Sequence, residues 1–178
     1  MIRTKTHIYI VLEYCPHGDL SNYIQQKKKL SEPNIVDIMS QIVNGYKYLA
    51  KEGILHRDLK PANVLRNGKV WKISDFGFSI RSGTFVDDIN VGTPLYMPIE
   101  SLVKSYYSVK TDIFALGVIL YELLHGKTPW ECDTETELMN KLTKGEPVRI
   151  EREVTNKKIR DFILKSCDLS EGRRLSKK

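Results

Sequence analysis

The sequence predicts an α+β chain that is mainly helical, and three patterns carry this prediction. Apolar residues recur at steps of three and four through residues 35–49, which is the spacing of one face of an α-helix. A second, almost continuous apolar run covers residues 113–124. A short segment, residues 8–12, has the β-branched and aromatic composition that favours a strand. Helices are therefore expected to build most of the core.

The first long predicted helix has recognisable ends. Ser31 is the candidate N-cap, and Glu32 and Pro33 suit the first helical turn. Gly53 suits a C-terminal stop, because glycine readily adopts the left-handed conformation that ends many helices. The apolar face between these ends consists of Ile35, Ile38, Met39, Ile42, Val43, Tyr46 and Leu49. The lysines at 27–29, just before this helix, are interpreted as a solvated turn rather than as a binding patch.

The apolar run at 113–124 predicts a buried core helix, with Thr111 as its cap. The run is too short to span a bilayer, and it carries Glu122. The later helices are marked by Trp130, Leu138, Leu142, Ile159, Phe162 and Ile163.

Composition is that of an ordinary globular domain. Hydrophobic residues make up 41% and charged residues 28% of the 178 positions, which argues against disorder. The net charge is +6, but the cations are scattered, and nothing resembles a nucleic-acid-binding module. The three cysteines, at 15, 132 and 167, are far apart and lack metal-ligand spacing. Together with the lack of a long apolar leader, this predicts a cytoplasmic protein without a membrane span.

Two motifs carry the chemistry. Residues 56–63 read His-Arg-Asp-Leu-Lys-Pro-Ala-Asn, and residues 75–77 read Asp-Phe-Gly. The triplet alone recurs by chance, whereas the longer run is specific, and the two together leave little room for coincidence. They resemble the catalytic loop and the magnesium-binding loop of protein kinases. Lys60 and Pro61 match the serine/threonine version of the loop.

The resemblance implies a role for each polar residue of these loops. Asp58 would be the base that accepts or orients the proton of the substrate hydroxyl, and Lys60 would place a cation beside the γ-phosphate of ATP. Asn63 and Asp75 would hold Mg²⁺, which usually binds a few protein oxygens plus the substrate phosphates. Thr93 matches the threonine that joins Asp58 and Lys60 in the substrate loop.

The resemblance also places a nucleotide site near the start of the chain. The carbonyl of Glu13 and the backbone of Cys15 would contact adenine at the hinge, next to Leu12 at the gatekeeper position. Asp19 would contact ribose or substrate, and Leu65 would form the floor under adenine. Without the neighbouring motifs, Leu12 and Leu65 would be interpreted as core residues and Asp19 as a helix cap.

Beyond the metal loop, the resemblance implies an activation segment over residues 75–100. It ends in Pro98-Ile99-Glu100 where relatives usually have Ala-Pro-Glu, which puts the local turn in doubt. Glu100 is expected to pair with Arg174. In relatives an aspartate at the position of Asp112 anchors the backbone of the catalytic loop.

The same segment predicts activation without phosphorylation at the usual position. Ile89 stands where many kinases carry the key phosphorylated residue, and Asp87 and Asp88 lie beside it. A carboxylate could partly substitute for the phosphate that Arg57 would otherwise receive. In a form extended with its small lobe, alanine at both Asp87 and Asp88 is therefore expected to lower activity, whereas alanine at Thr84 is not. Thr84 or Ser82 stays open as a more distant phosphorylation site.

The expected domain is a partial protein kinase domain over residues 1–178: the hinge strand and large lobe, mainly α, with a small β component around the catalytic loops. The glycine-rich loop, the Val-Ala-Ile-Lys-like lysine and its partner glutamate are not found. We therefore expect the isolated chain to be inactive without a small lobe, and its ligands to be ATP, Mg²⁺ and a protein with serine or threonine. The alternatives are a non-catalytic docking module and an incomplete gene model. Within the family, the hinge and Asp-Phe-Gly-Phe regions most resemble the autophagy-initiating kinases, although calcium/calmodulin-dependent and polo-like kinases share much of the pattern.

Overall fold

Helices form most of the regular secondary structure in the computed structural model, which describes residues 1–27, 29–83 and 90–176. The α-helices are α1 (Leu20–Lys27), α2 (Glu32–Lys51), α3 (Ile99–Lys104), α4 (Val109–His125), α5 (Glu135–Thr143) and α6 (Lys157–Ser166). The strands are β1 (Ile2–Arg3), β2 (Ile8–Tyr9), β3 (Ile54–Leu55), β4 (Val64–Asn67), β5 (Val70–Ile73) and β6 (Ile80–Arg81). Short 3₁₀ turns cover Pro61–Asn63 and Pro94–Tyr96. The prediction of a mainly helical α+β chain is confirmed.

Helix α2 matches the first long predicted helix, and its apolar face is buried or half-buried as expected. Ser31 occupies the N-cap position, but its side chain makes no capping hydrogen bond, so that part of the prediction is wrong. The carboxylate of Glu32 instead accepts hydrogen bonds from the backbone N–H groups of Thr155 and Asn156, each at 2.9 Å. These bonds tie the start of α2 to the segment that leads into α6.

Helix α4 is the centre of the core. Residues 111–121 are all buried, which leaves this helix without a solvent face over most of its length. It begins earlier than the apolar run suggested, and its N-cap is Ser108 rather than Thr111. Thr111 takes the other half of a capping box, because its hydroxyl accepts from the Ser108 N–H at 3.0 Å.

Two apolar clusters pack on α4. The larger cluster joins it to α1, α2, the β4–β5 hairpin and α6. The smaller cluster joins it to the segment before α3 and to α5, and in it Phe114 stacks on Trp130 at a ring-centroid distance of 5.7 Å. Trp130 itself lies in the loop before α5, not in a helix as the sequence suggested. Helices α4 and α6 approach so closely at Gly117 that a Cβ there would overlap the side chains of Ser166 and Cys167.

The strands form three antiparallel pairs: β1 with β2, β3 with β6, and β4 with β5. In the last pair Val64 lies opposite Ile73 and Asn67 opposite Val70. The predicted strand at 8–12 is only partly right, because pairing stops at Tyr9 and residues 10–12 are exposed. No element of the described chain covers them, so their apolar composition predicts burial that does not occur here.

Lys27 closes α1 rather than lying in a turn, and Lys29 is exposed; Lys28 lies outside the described residues. Among the helices that the structure describes, none has the length and apolar character needed to cross a membrane.

Candidate active site

The loop at residues 56–63 follows β3 and is shaped by one buried carboxylate. Asp112, at the start of α4, accepts the backbone N–H of His56 at 2.8 Å and that of Arg57 at 3.0 Å. Arg57 has a φ of 68°, a left-handed conformation that a non-glycine residue adopts only when its surroundings impose it. Burial raises the pKa of Asp112, and the two backbone donors oppose that rise because they favour the charged form. The loop therefore takes its shape from the helix beneath it.

Four side chains predicted to act together do lie together. The Thr93 hydroxyl donates to Oδ1 of Asp58 at 2.8 Å and accepts from Nζ of Lys60 at 2.8 Å. Lys60 also lies 3.0 Å from Oδ2 of Asp58, and Asn63 donates to that oxygen at 3.0 Å. Asp58 is only 6% exposed, so its carboxylate is held on both oxygens in a largely dry site. The arrangement provides a fixed acceptor with a cation beside it.

Asn63 is oriented by its amide nitrogen, which donates to the backbone carbonyl of Asp58 at 2.8 Å as well as to its carboxylate. Its side-chain oxygen is therefore the end that remains available as an acceptor. Ser74 joins the two motifs, because its backbone and hydroxyl both donate to the Asn63 carbonyl, at 2.9 and 3.0 Å. Its own carbonyl lies 3.0 Å from Nε2 of His56. Sequence reasoning missed Ser74, which carries no motif signal of its own.

Asp75 follows directly and is exposed, with a φ of 62°. Its Oδ1 accepts from the Gly77 N–H at 3.3 Å. The amide oxygen of Asn63 and the carboxylate of Asp75 are hard oxygen donors, the type that Mg²⁺ prefers. No cluster of three or more His, Cys, Asp or Glu side chains suited to a metal occurs in the described chain. The oxygens of Asn63 and Asp75 fit a Mg²⁺ ion whose remaining ligands come from a phosphate-bearing group.

The residues predicted to bind the nucleotide lie just before α1 and in β4. The side chain of Glu13 pairs with Lys72 at 2.7 Å, and this hydrogen-bonded partner lowers the pKa of Glu13. Cys15 is half-buried, and Leu65 is half-buried in β4, where it forms a bridge to Asp19. Leu12 is 78% exposed, so its explanation as a core residue is wrong.

Asp19 does act as a helix cap. Its Oδ1 accepts from the backbone N–H of Asn22 at 2.8 Å, and Oδ2 accepts from the Asn22 amide at 2.7 Å. Next to it, Gly18 and His17 exchange backbone bonds with Arg66, at 2.8 and 3.2 Å. These contacts fix the segment after the hinge against β4, whatever else Asp19 binds.

Comparison with known families identifies the family to which a chain with this site belongs. The family model described as "Protein kinase domain" matches residues 1–178. The chain belongs to the protein kinase family. Kinases use ATP with Mg²⁺, in agreement with the hard oxygen donors at Asn63 and Asp75.

Individual relatives agree with this kinase assignment. The chain is 41% identical over 142 residues to the serine/threonine-protein kinase atg1 of Dictyostelium discoideum, covering 77% of this chain and 21% of the relative. It is 35% identical over 176 residues to the serine/threonine-protein kinase unc-51 of Caenorhabditis elegans, covering 91% and 20%. Aurora kinase C of Mus musculus is 36% identical over 139 residues, covering 77% and 50%. The resemblance to serine/threonine kinases, and to the atg1 and unc-51 group among them, is confirmed. The chain spans about a fifth of the length of the first two relatives.

The kinase ion pair predicted between Glu100 and Arg174 is present. Nη1 of Arg174 lies 2.5 Å from the Glu100 carboxylate, and the arginine is 2% exposed. The same guanidinium donates to the carbonyls of Lys110 and Asp168, at 3.2 and 3.0 Å. Pro98 does not disturb this region, because it is the N-cap of α3, where a backbone N–H is not required.

Arg57 of the kinase loop has an incomplete set of partners. Nε donates to the Phe78 carbonyl at 2.6 Å, and the guanidinium lies 5.1 Å from the ring centroid of Tyr107. Its Nη1 is buried and has no hydrogen-bond partner among the described residues. The predictions for Thr84, Asp87, Asp88 and Ile89 fall outside the described residues. Tyr107, which sequence reasoning missed, also accepts the N–H of Val91 and donates to its carbonyl, at 2.8 and 2.7 Å.

Proposed function

We propose that this chain is the catalytic region of a serine/threonine protein kinase, which transfers the γ-phosphate of ATP to a serine or threonine hydroxyl of a protein. The arrangement around Asp58 supports the proposal most directly. A nearly buried carboxylate is held by Thr93 and Asn63 and lies 3.0 Å from the Lys60 ammonium. Phosphoryl transfer needs positioning and charge neutralisation more than covalent catalysis, and these groups supply both.

Each residue then has a defined task. Asp58 accepts or orients the proton of the attacking hydroxyl, and Thr93 fixes the carboxylate that does so. Lys60 contributes positive charge where negative charge develops on the transferred group, an effect typically worth about 10²–10³-fold in rate for one preorganised group. Asn63 and Asp75 would hold Mg²⁺, which supplies positive charge against the phosphate oxygens when it is bound.

The nucleotide base would contact the hinge through the backbone of Glu13 and Cys15, with Leu65 as its floor. Asp19 would contact ribose or substrate while capping α1. We also propose that the protein is cytoplasmic. Its proposed partners are ATP, a protein substrate and a small lobe.

We further propose that the isolated chain, as a large lobe with its hinge, is inactive. The support is the exposure of large apolar side chains on the nucleotide side: Val11 and Leu12 are 78% exposed, Tyr14 is 81% exposed, and Phe76 is 49% exposed. Several large apolar side chains exposed in this way are expected where a partner surface packs. With that side open, water reaches the nucleotide side of the site and would weaken the electrostatic contacts to bound ATP·Mg.

The decisive experiment joins the small lobe of a related kinase ahead of Glu13 and compares the fusion with the isolated chain. ATP·Mg binding is measured by calorimetry, and phosphorylation of a generic protein acceptor gives kcat. The isolated chain should show negligible turnover, and the fusion should approach rates of about 1–100 s⁻¹. Turnover in that range by the isolated chain would contradict the inactive-lobe proposal.

Two variants of the fusion test the assigned roles. Asp58→Asn should leave ATP·Mg binding nearly intact and lower kcat, because it removes a group used in the chemical step. Asp75→Asn should also weaken metal-dependent nucleotide binding, because it removes a metal ligand. A folded fusion that binds ATP·Mg without transferring phosphate would favour the docking-module alternative. Equal turnover by Asp58→Asn would show that the base is another group.

A further inference from the structure

Arg66 packs against a pair of aromatic rings, and the end of its guanidinium is unpaired among the described residues. It lies on β4 opposite Trp71 of β5, and its guanidinium carbon is 5.5 Å from the Trp71 ring centroid and 5.2 Å from that of Tyr23. The two rings meet edge to face at 5.2 Å. Nε donates to the Gly68 carbonyl at 2.9 Å. Within the described ranges, neither Nη nitrogen has an acceptor and no carboxylate lies within 4.0 Å of the guanidinium.

This arginine lines a surface cavity of about 160 Å³ between the β4–β5 hairpin and the start of α2. Tyr23, Ile38 and Trp71 form its apolar side. Lys69 is exposed on its rim and, in the part of the chain that the structure describes, forms no ion pair. We call this cavity the Arg66 pocket.

Charge around the Arg66 pocket is unbalanced toward positive. Besides Arg66 and Lys69, Lys27 lies with its ammonium 5.9 Å from the Tyr23 ring centroid. Among the described residues that line the pocket, the carboxylate is that of Asp37, and its Oδ2 accepts from the side-chain amide of Gln41 at 3.1 Å. Asp37 therefore lowers the positive potential but does not neutralise the guanidinium by direct contact.

We propose that the Arg66 pocket is a docking site for an acidic segment of another protein. An aspartate or glutamate carboxylate would pair with the free fork of Arg66, a planar donor set that suits bidentate binding of carboxylates. The aromatic walls already restrict the guanidinium, so little further ordering is needed on binding. Tyr23, the half-buried aromatic residue of the lining, would receive an apolar side chain next to the acid. The Arg66 pocket lies outside the Asp58 site, and binding of an acidic segment there does not depend on whether this chain is active alone.

The test uses the chain as it stands and a fluorescein-labelled peptide in which three glutamates flank a leucine. A second peptide carries glutamine at each glutamate, so that it matches the first in size and apolar content. Fluorescence anisotropy gives both affinities at low and high salt, and circular dichroism checks the fold of each variant. A ten-nucleotide single-stranded DNA serves as a competitor of different chemistry.

Four variants separate a defined pocket from general attraction to a basic protein. Arg66→Lys keeps the charge but removes the fork and should weaken binding about three- to tenfold. Lys69→Gln should weaken it about two- to fivefold, as expected for one exposed ion pair. Asp37→Asn should tighten binding by a similar factor, about two- to fivefold. Lys144→Gln removes an equally exposed lysine elsewhere and should change the affinity less than about twofold.

The acidic peptide should bind more tightly than its glutamine counterpart, and the difference should shrink at high salt. Equal binding of the two peptides, or no binding of either, overturns the proposal. An effect of Lys144→Gln as large as that of Lys69→Gln overturns it in favour of diffuse attraction by the +6 chain. Tighter binding of the DNA with the same dependence on the variants overturns the peptide assignment. If Arg66→Lys fails to fold, the two other variants decide. The pocket requires weaker peptide binding by Lys69→Gln and tighter binding by Asp37→Asn, and changes in any other direction overturn it.

Discussion

Replacing Asp112 by asparagine should destabilise the fold, although the two side chains have nearly the same shape. The carboxylate accepts the N–H of His56 at 2.8 Å and that of Arg57 at 3.0 Å, and both residues are buried. An asparagine keeps one acceptor and turns its NH₂ group toward the other backbone donor. One N–H and the new amide then lose their partners.

The magnitude follows from the two groups left unsatisfied. A buried donor without a partner costs about 1–3 kcal/mol, so two cost about 2–6 kcal/mol. Removing a charge from a buried position offsets part of this loss, and a net destabilisation of about 2–4 kcal/mol is expected. Release of the left-handed Arg57 backbone is the expected local consequence, because that conformation costs about 1–2 kcal/mol.

Urea unfolding of the chain, followed by circular dichroism, measures the effect. With a slope of about 2 kcal/mol per molar urea, the midpoint should fall by about 1–2 M. Asp161→Asn is the matched control, since Asp161 is exposed and its ion pair with Lys165 is 3.9 Å long. The control should lose at most about 0.5 kcal/mol. If the two variants unfold at the same urea concentration, the backbone bonds to Asp112 do not shape the loop as argued.

Three further predictions concern stability. Gly117→Ala should cost about 1–3 kcal/mol because the added methyl overlaps Ser166 and Cys167; a gain of about 1 kcal/mol in thermal unfolding would show that helix propensity wins instead. Arg174→Met should cost about 3–5 kcal/mol by leaving the Glu100 carboxylate without its buried partner, and adding Glu100→Leu should recover much of the loss. Burial lowers the pKa of His125, whose ring stacks on Tyr121 at 4.0 Å near Glu151, Arg152 and Lys127. As pH falls through about 6.5, the unfolded chain therefore takes up a proton at His125 before the folded chain does. The free energy of unfolding should therefore fall as the pH is lowered from about 7.5 to about 5.5, and His125→Gln should reduce that fall. Equal pH dependence of the free energy of unfolding in the two chains would exclude His125 as the cause.

From the residues alone, the predictable contacts lie within one motif or one helical face. The distant contacts of Thr93 and the Glu100–Arg174 pair were predictable only through the family resemblance. Asp58 and Asn63 belong to a single short loop, so their proximity needs little tertiary information. The start of α4 was misplaced because the apolar run begins after Ser108 and Thr111, and both residues are good caps. Residues 10–12 have a strand-like composition, but composition does not show whether a neighbour covers them.

The residues that sequence reasoning missed act through tertiary contacts. Ser74 joins the two motifs through backbone geometry, and Tyr107 reaches Arg57 and Val91 from the segment before α4. Neither residue type carries a periodic or motif signal, so only the fold shows what it contacts. Thr93 was predictable from the family resemblance alone, because it lies far from Asp58 along the chain.

The link between Asp112 and the catalytic loop also bears on when the site can form during protein synthesis. The acceptor lies 56 positions downstream of His56, so a ribosome releases the whole motif well before the group that shapes it. Until α4 has emerged and packed, His56 and Arg57 have no carboxylate to fix their backbone, and Arg57 has no reason to keep a left-handed conformation. A nascent or truncated chain that ends between Asn63 and Asp112 therefore carries the motif in its sequence without its geometry. The site is completed late, by the same helix that forms the centre of the core.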